Sequence, residues 1–307
     1  MACCCCGWFW IVVAVMSVLS YLLMPSLYKN IYRAMIANFG PLGWLKRKDV
    51  TGKIVLITGA ANGIGRLMAL RFAALRVKLV LWDIDEKALQ QTAKECEQLG
   101  AESVFVQKID LSARENIYQA ADLVKSKVGH VDILINNAGI AKGGLFMEKD
   151  DQWIEASMRI NAISHLWMAK AFLGHMIETD SGHIVCIASV AGLYGAKTLV
   201  DYSASKFAAV GFQEAIENEV YYLNKRHVQF TTVCPFYIQT RMLDGIPIPE
   251  SLNKDVLSPE SVVDQIMDAI LTDQRMVIIP PKVRFLLSLK PWLPRRSFQQ
   301  FSLRQHK

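Results

Sequence analysis

No charged residue lies between Ala2 and Met24, and no acid lies between Pro281 and Lys307. The chain also lacks an Asn-x-Ser/Thr sequon, an internal repeat, a low-complexity tract and cysteines spaced for bridging or chelation. Each absence excludes something. Cys96, Cys186 and Cys234 are scattered through the body, which speaks against a disulfide scaffold and for a reducing compartment. Cys3 to Cys6 are contiguous, whereas zinc sites need ligands separated by spacers, so no metal is expected. These four belong to the apolar run around them, acylation being the other reading if that end meets the cytosolic face. A net charge of +6 could suggest nucleic acid. The basic residues, however, gather at the two ends beside apolar stretches, without a nucleic-acid motif, and a membrane surface is the expected partner.

The N-terminal run is the first positive feature. Trp8 to Met24 is almost continuously apolar, and about 20 such residues span a bilayer core. It accounts for a mean hydropathy of +0.22, high for a soluble enzyme. A cleaved signal would carry Lys or Arg before the run and a small-residue cleavage site after it, and neither is present. Lys29, Arg33, Lys46, Arg47 and Lys48 follow, with Asp49 the only acid, so the body is expected in the cytosol. The expected organisation is an anchor over 1–28, a basic linker over 29–50, a catalytic domain over 51–280 and a basic, apolar tail over 281–307. A hairpin or interfacial placement of the anchor is the alternative. The tail reads either as a membrane contact, with Trp292 and Phe285 among its basic residues, or as an arm packed on the body.

From Lys53 onward short apolar runs alternate with helical periods. The runs are Ile54–Thr58, Leu79–Trp82, Val104–Gln107, Ile133–Asn136, His183–Ala188, Gln229–Val233 and Met276–Ile279. Helical stretches such as Arg66–Leu75, Glu86–Leu99 and Arg114–Val128 separate them. Unbroken apolar strands alternating with helices imply a single doubly wound α/β domain with a mostly parallel sheet.

Two constellations carry chemistry. Strand one runs into Thr58-Gly59-Ala60-Ala61-Asn62-Gly63-Ile64-Gly65 and then a helix. Glycines permit a tight turn and close approach to a pyrophosphate, which the helix N-terminus attracts. Asp83 ends the second strand about 20 residues on, where a carboxylate accepts from an adenosine ribose and repels a 2′-phosphate. NAD(H) is therefore the expected cofactor and NADP(H) the less favoured one, Arg66 being the residue that could offset this field. Tyr202 and Lys206, four apart, share one helix face. An ammonium beside a phenol favours the phenolate and brings a poor base toward its working range. Ser189 and Asn136-Asn137-Ala138-Gly139 close strands at the edge where such sheets bind ligands.

Taken with Asp110-Leu111 and Asn161, these motifs resemble the short-chain dehydrogenase/reductase family over about Lys53 to Thr240. The resemblance implies that Tyr202 is the general acid/base, that Lys206 lowers its pKa and binds the nicotinamide ribose, that Ser189 holds the substrate oxygen and that Asn161 positions a water. Gly59, Asn62, Gly63, Ile64, Gly65 and Asp83 would bind the cofactor. Asp110 and Leu111 would flank the adenine, and Asn137, Ala138 and Gly139 would line the cofactor. Pro235, Ile238 and Thr240 would meet the nicotinamide end. Where the family commonly has Pro-Gly, Pro235 is followed by Phe236, which implies a more hydrophobic pocket mouth. Within the family, the chain resembles the membrane-bound branch of retinol and 17β-hydroxysteroid dehydrogenases. That implies a lipophilic alcohol, a retinol first and a hydroxysteroid second, on the endoplasmic reticulum membrane or a lipid droplet, and a homodimer. Ser189, Leu193, Tyr194, Phe236 and Met242 are the expected substrate contacts, Tyr237 and Leu243 lying in the same segments. A non-catalytic scaffold is the reading from another class, although no catalytic residue is missing.

Overall fold

The computed structural model describes residues 45–246, 255–292, 294 and 296. The expected anchor over 1–28 lies outside these residues. Among those described, no helix is long and apolar enough to cross a membrane.

Seven strands form one parallel sheet: β1 (Ile54–Thr58), β2 (Lys78–Asp83), β3 (Ser103–Lys108), β4 (Ile133–Asn136), β5 (Gly182–Ile187), β6 (Val228–Pro235) and β7 (Met276–Ile279). Their order is β3-β2-β1-β4-β5-β6-β7. The helices are α1 (Gly63–Ala73), α2 (Glu86–Gln98), α3 (Arg114–Lys127), α4 (Asp151–Met158), α5 (Ser164–Thr179), α6 (Val200–Tyr222), α7 (Pro259–Leu271) and α8 (Pro281–Leu289).

The central strands β1, β4 and β5 are buried at nearly every position because both faces are covered, and most of their residues are apolar. Alternation sorts their side chains. Val55, Ile57, Leu79 and Leu81 pack with Met68 and Phe72 of α1, Leu89 of α2 and Ile266 of α7. Ile54, Leu56, Val80 and Trp82 face the other way, onto Ile117 of α3 and Met168 and Phe172 of α5. Each fully buried Leu, Ile or Phe contributes roughly 1.5–3 kcal/mol of transfer free energy, so two such layers hold the sheet from both sides.

The strand order reverses between β1 and β4, and a crevice opens there at the carboxyl edge. The amino edge is closed by polar stitching. Lys48 Nζ donates to His183 Nδ1 (2.7 Å) and to Asp273 Oδ1 (2.6 Å). Since an ammonium only donates, His183 Nδ1 is the acceptor and its Nε2–H donates to Thr231 Oγ1 at 2.8 Å. The Thr231 hydroxyl in turn donates to the Gln274 carbonyl at 2.6 Å. Lys48 and the buried Val50 thus already belong to the packed body, ahead of the expected boundary at residue 51.

Candidate active site

The first half of the site is backbone. Gly59 has φ +65°, and a Cβ there would stand 2.9 Å from the Ala138 Cα. A Cβ on Gly65 would stand 2.0 Å from the Gly59 carbonyl oxygen, so α1 packs against the loop at a distance only glycine allows. Thr58 Oγ1 accepts from the amides of Asn137 (2.9 Å) and Ala138 (3.0 Å), and Asn137 Nδ2 donates to the Thr58 carbonyl at 2.8 Å. The loops after β1 and β4 are therefore locked together.

Helix α1 differs from its neighbours at its start. Asp85 caps α2 by accepting from Ala88 N, and Ser258 caps α7 by accepting from Ser261 N. Asn62 makes no such bond, and the first turn of α1 holds no acid. Its amides and positive dipole end face the cavity, the arrangement that suits a phosphate.

Asp83 stands at one end of this crevice. Its Oδ2 accepts from Ala61 N (2.9 Å) and its Oδ1 from Asp85 N (3.0 Å), which fixes the carboxylate. Arg66, the residue able to offset that charge, is ion-paired with Glu95 of α2, and Gln91 Nε2 holds the other Glu95 oxygen at 3.1 Å.

At the other end stand Ser189, Tyr202 and Lys206. The Ser189 hydroxyl accepts from Ala191 N at 3.1 Å and donates to the Pro235 carbonyl at 3.4 Å, beside the Tyr202 phenol. Lys206 Nζ donates to the Ile187 carbonyl at 2.9 Å and lies 5.7 Å from the centre of the Tyr202 ring. Burial pushes the Tyr202 phenol up to about 12, against a smaller lowering by Ser189. Burial also lowers the Lys206 pKa. The phenol's rise thus comes mainly from desolvation, and the Lys206 ammonium is engaged on the Ile187 carbonyl.

A single cavity of about 990 Å³ joins the two ends. Gly59, Asn62, Gly63, Ile64, Gly65, Asp83, Asp110, Leu111, Asn137, Ala138 and Gly139 line it on the Asp83 side. Ser189, Tyr194, Tyr202, Lys206, Pro235, Phe236, Ile238, Thr240 and Met242 line the rest. Two expected residues do not. Leu193 packs instead into a cluster with Cys186, Val190 and Ile278, and its carbonyl accepts from Lys290 Nζ at 2.9 Å. Asn161 is fully buried in a π-helical turn, Arg159–Ile163, between α4 and α5. Its Nδ2 donates to the Ile140 carbonyl (2.9 Å) and Ser205 Oγ (3.0 Å), and its Oδ1 accepts from Ile140 N (2.8 Å). It braces the chain after β4 from behind.

The cavity also holds residues that sequence reasoning did not single out, among them Trp153, Leu199 and Ile246. They arrive from α4, the run-in of α6 and the loop after β6, and no local pattern marks them.

A parallel doubly wound sheet, with an uncapped glycine turn and a buried Tyr/Lys pair facing one cavity at its switch point, defines a nucleotide-dependent oxidoreductase. The chain belongs to the short-chain dehydrogenase family, whose profile, described as short chain dehydrogenase, matches residues 53–250. It is an oxidoreductase acting on CH–OH groups. Epidermal retinol dehydrogenase 2 of Homo sapiens is 45% identical over 248 residues, 81% of this chain and 80% of that protein. Estradiol 17-beta-dehydrogenase 11 of Homo sapiens is 43% identical over 276 residues, 90% of this chain and 89% of that one. A short chain dehydrogenase/reductase from Burkholderia phymatum, solved in complex with NAD, superposes with a TM-score of 0.71 at 28% identity, covering 80% of this chain and 95% of that one.

Proposed function

We propose that the protein is a membrane-bound, NAD(H)-dependent dehydrogenase of lipophilic alcohols, with the oxidation of a retinol to its retinal as the leading reaction. The carrying observation is the continuity of one cavity from the fixed carboxylate of Asp83 to Tyr202, ending among Tyr194, Phe236, Met242 and Ile246. Asp83 would take the adenosine ribose and disfavour a 2′-phosphate, and the Arg66–Glu95 pairing leaves that preference in force. The glycine turn and the free amides of α1 would take the pyrophosphate. When bound, the nicotinamide supplies or accepts the hydride.

The chain's own groups handle the proton. Ser189 and Tyr202 converge on the place of the substrate oxygen, and Tyr202 Oη would take the alcohol proton in oxidation or give one in reduction. With its pKa pushed up to about 12, the free phenol carries its proton near neutrality. Oxidation then requires the Lys206 ammonium, on the same helix face, to favour phenolate in the loaded site. The apolar walls exclude water and suit a greasy substrate.

The likeness to an estradiol dehydrogenase at 43% identity favours a 17β-hydroxysteroid as the second reading. The proposed location is the endoplasmic reticulum membrane, or a lipid droplet, with the catalytic domain in the cytosol and the enzyme a homodimer. The basic, apolar tail supports a lipid surface as partner, since Phe285 and Trp292 are exposed beside Arg284 and Lys290. Microsomes carrying the full chain are to be assayed with retinol, estradiol and a long-chain fatty alcohol, each with NAD and NADP. Fastest turnover is expected for retinol with NAD; no turnover of any alcohol with either cofactor would overturn the proposal.

A further inference from the structure

An ion pair sits directly behind the proton-handling residue, outside the cavity lining. Lys149, in the loop after β4, pairs with Asp201 of the first turn of α6, and their side chains are 4% and 0% exposed. Tyr202 is the next residue. Ion pairs at the surface form at little cost and do little, but two charges this deep are expensive to desolvate. A well-packed apolar pair is often at least as stable in such a place, so stability alone does not account for it.

What the pair joins is more specific. Lys149 Nζ also donates to the Lys142 carbonyl at 2.7 Å, which closes residues 142–149 into a ring. Gly144 N donates to the Thr198 carbonyl at 3.1 Å, which ties the same ring to the run-in of α6. Ala141, just before the ring, lines the cavity and packs on the cluster that contains Tyr202, Leu199 and Ile246. Trp153, just after it, lines the cavity too. The pair is also incompletely satisfied, since Asp201 Oδ2 has no hydrogen-bond partner among the described residues.

We infer that Lys149 and Asp201 are a positioning pair for the reaction: they fix the 142–149 loop against the first turn of α6 and so set Tyr202 relative to the alcohol. Neither touches the substrate. The pair holds the loop wall and the phenol in one register, while the glycine turn and Asp83 lie on other elements. Breaking it therefore acts mainly on the alcohol half of the site and least on the adenosine half, which the glycine turn and Asp83 hold. This inference rests on the reading of Tyr202 as the acid/base.

The test uses the full chain in membranes and measures kcat, KM for alcohol, KM for NAD, and the thermal midpoint. Asp201→Asn is expected to lower kcat/KM for the alcohol by about tenfold to about a hundredfold, the range for a misplaced reacting group, with KM for NAD changed much less. In the double variant Lys149→Leu/Asp201→Leu the thermal midpoint is expected to return to that of the parent while kcat stays low. Recovery of both midpoint and kcat in the double variant, or an unchanged kcat in Asp201→Asn, would overturn the inference. If Asp201→Asn does not fold, the double variant decides; if neither folds, the pair is a folding element and the positioning role falls. Tyr202→Phe is run alongside: full activity there sinks the acid/base reading itself, whatever the pair does.

Discussion

The two edges of the same sheet are built on opposite principles. At the amino edge each polar group of the Lys48–His183–Thr231 chain has a partner, from the Lys48 ammonium to the Gln274 carbonyl. Lys53 adds a bond to Asp132 Oδ1 (2.9 Å), and Asp132 Oδ2 accepts from Ile54 N (2.8 Å). At the carboxyl edge the α1 amides have no cap, the Tyr202 phenol is driven up by burial, and the Asp201 carboxylate is half satisfied. Saturated polar chains stabilise; the α1 amides and the Tyr202 phenol face the cavity and are what a ligand can complete, while Asp201 lies outside its lining. The strands connecting the edges are alike, so the difference lies in the loops and in which backbone groups they leave free.

That contrast makes separable demands on activity and stability. The largest effect is expected at the carboxyl edge. Gly65→Ala places a methyl 2.0 Å from the Gly59 carbonyl and must push α1 off the loop. Overpacking of this kind costs about 1–3 kcal/mol, so NADH affinity, read by fluorescence quenching, should fall about tenfold to about a hundredfold. Undiminished affinity would mean that the turn does not hold the nucleotide.

The amino edge should respond in the opposite way. Lys48→Met removes a partner from His183 and Asp273 and should lower unfolding free energy by about 1–3 kcal/mol in urea titrations, with kcat untouched. Burial, with Lys48 nearby, lowers the pKa of His183 well below its ordinary value, and burial takes His165 down to about 3. Both are neutral when folded and take up protons when unfolded below about pH 6.5. Their contribution is therefore complete above that pH and shrinks progressively below it, for His165 down to about 3, so the thermal midpoint should drop between about pH 7 and about pH 5 and go on falling. A flat midpoint across that window would contradict the neutral, buried histidines.

The smallest expected effect concerns the cofactor's far end. Glu95→Gln frees the Arg66 guanidinium from its carboxylate while Asp83 stays in place. Loss of one partly exposed ion pair is worth under about 1 kcal/mol, so the ratio of NADPH to NADH affinity should rise only a few fold. No rise would mean that Arg66 does not face the ribose side.

Much of this arrangement is legible in the sequence. Strands buried on both faces appear as unbroken apolar runs, and β1, β4 and β7 fall where those runs do. The glycine turn is recognisable because its constraint is local: no other residue fits Gly65 against Gly59. Helix α1 nonetheless begins at Gly63, before the Arg66 at which its apolar period becomes readable, because glycines carry no periodic side chain. β6 runs on to Pro235, since the residues beyond Val233 pair with β7 rather than follow a pattern of their own. Long-range side-chain partnerships were not legible. Lys149 and Asp201 are far apart in the chain and ordinary in isolation, and only the fold brings them together behind Tyr202. The π turn that holds Asn161 likewise has no sequence mark, and neither do the bonds it makes there to Ile140 and Ser205.

The central claim is that Tyr202 moves the alcohol proton at the carboxyl edge, and one pH series tests it. NADH formation from retinol and NAD is to be followed in membranes carrying the parent chain and Tyr202→Phe, from about pH 6.5 to about pH 9.5. Because oxidation needs the phenol deprotonated and burial raises its pKa, the parent kcat/KM should climb with pH. Tyr202→Phe should bind NADH normally and fall about a hundredfold or more at each pH, with the climb gone. A Tyr202→Phe enzyme that kept the parent's rate and pH dependence would contradict the account.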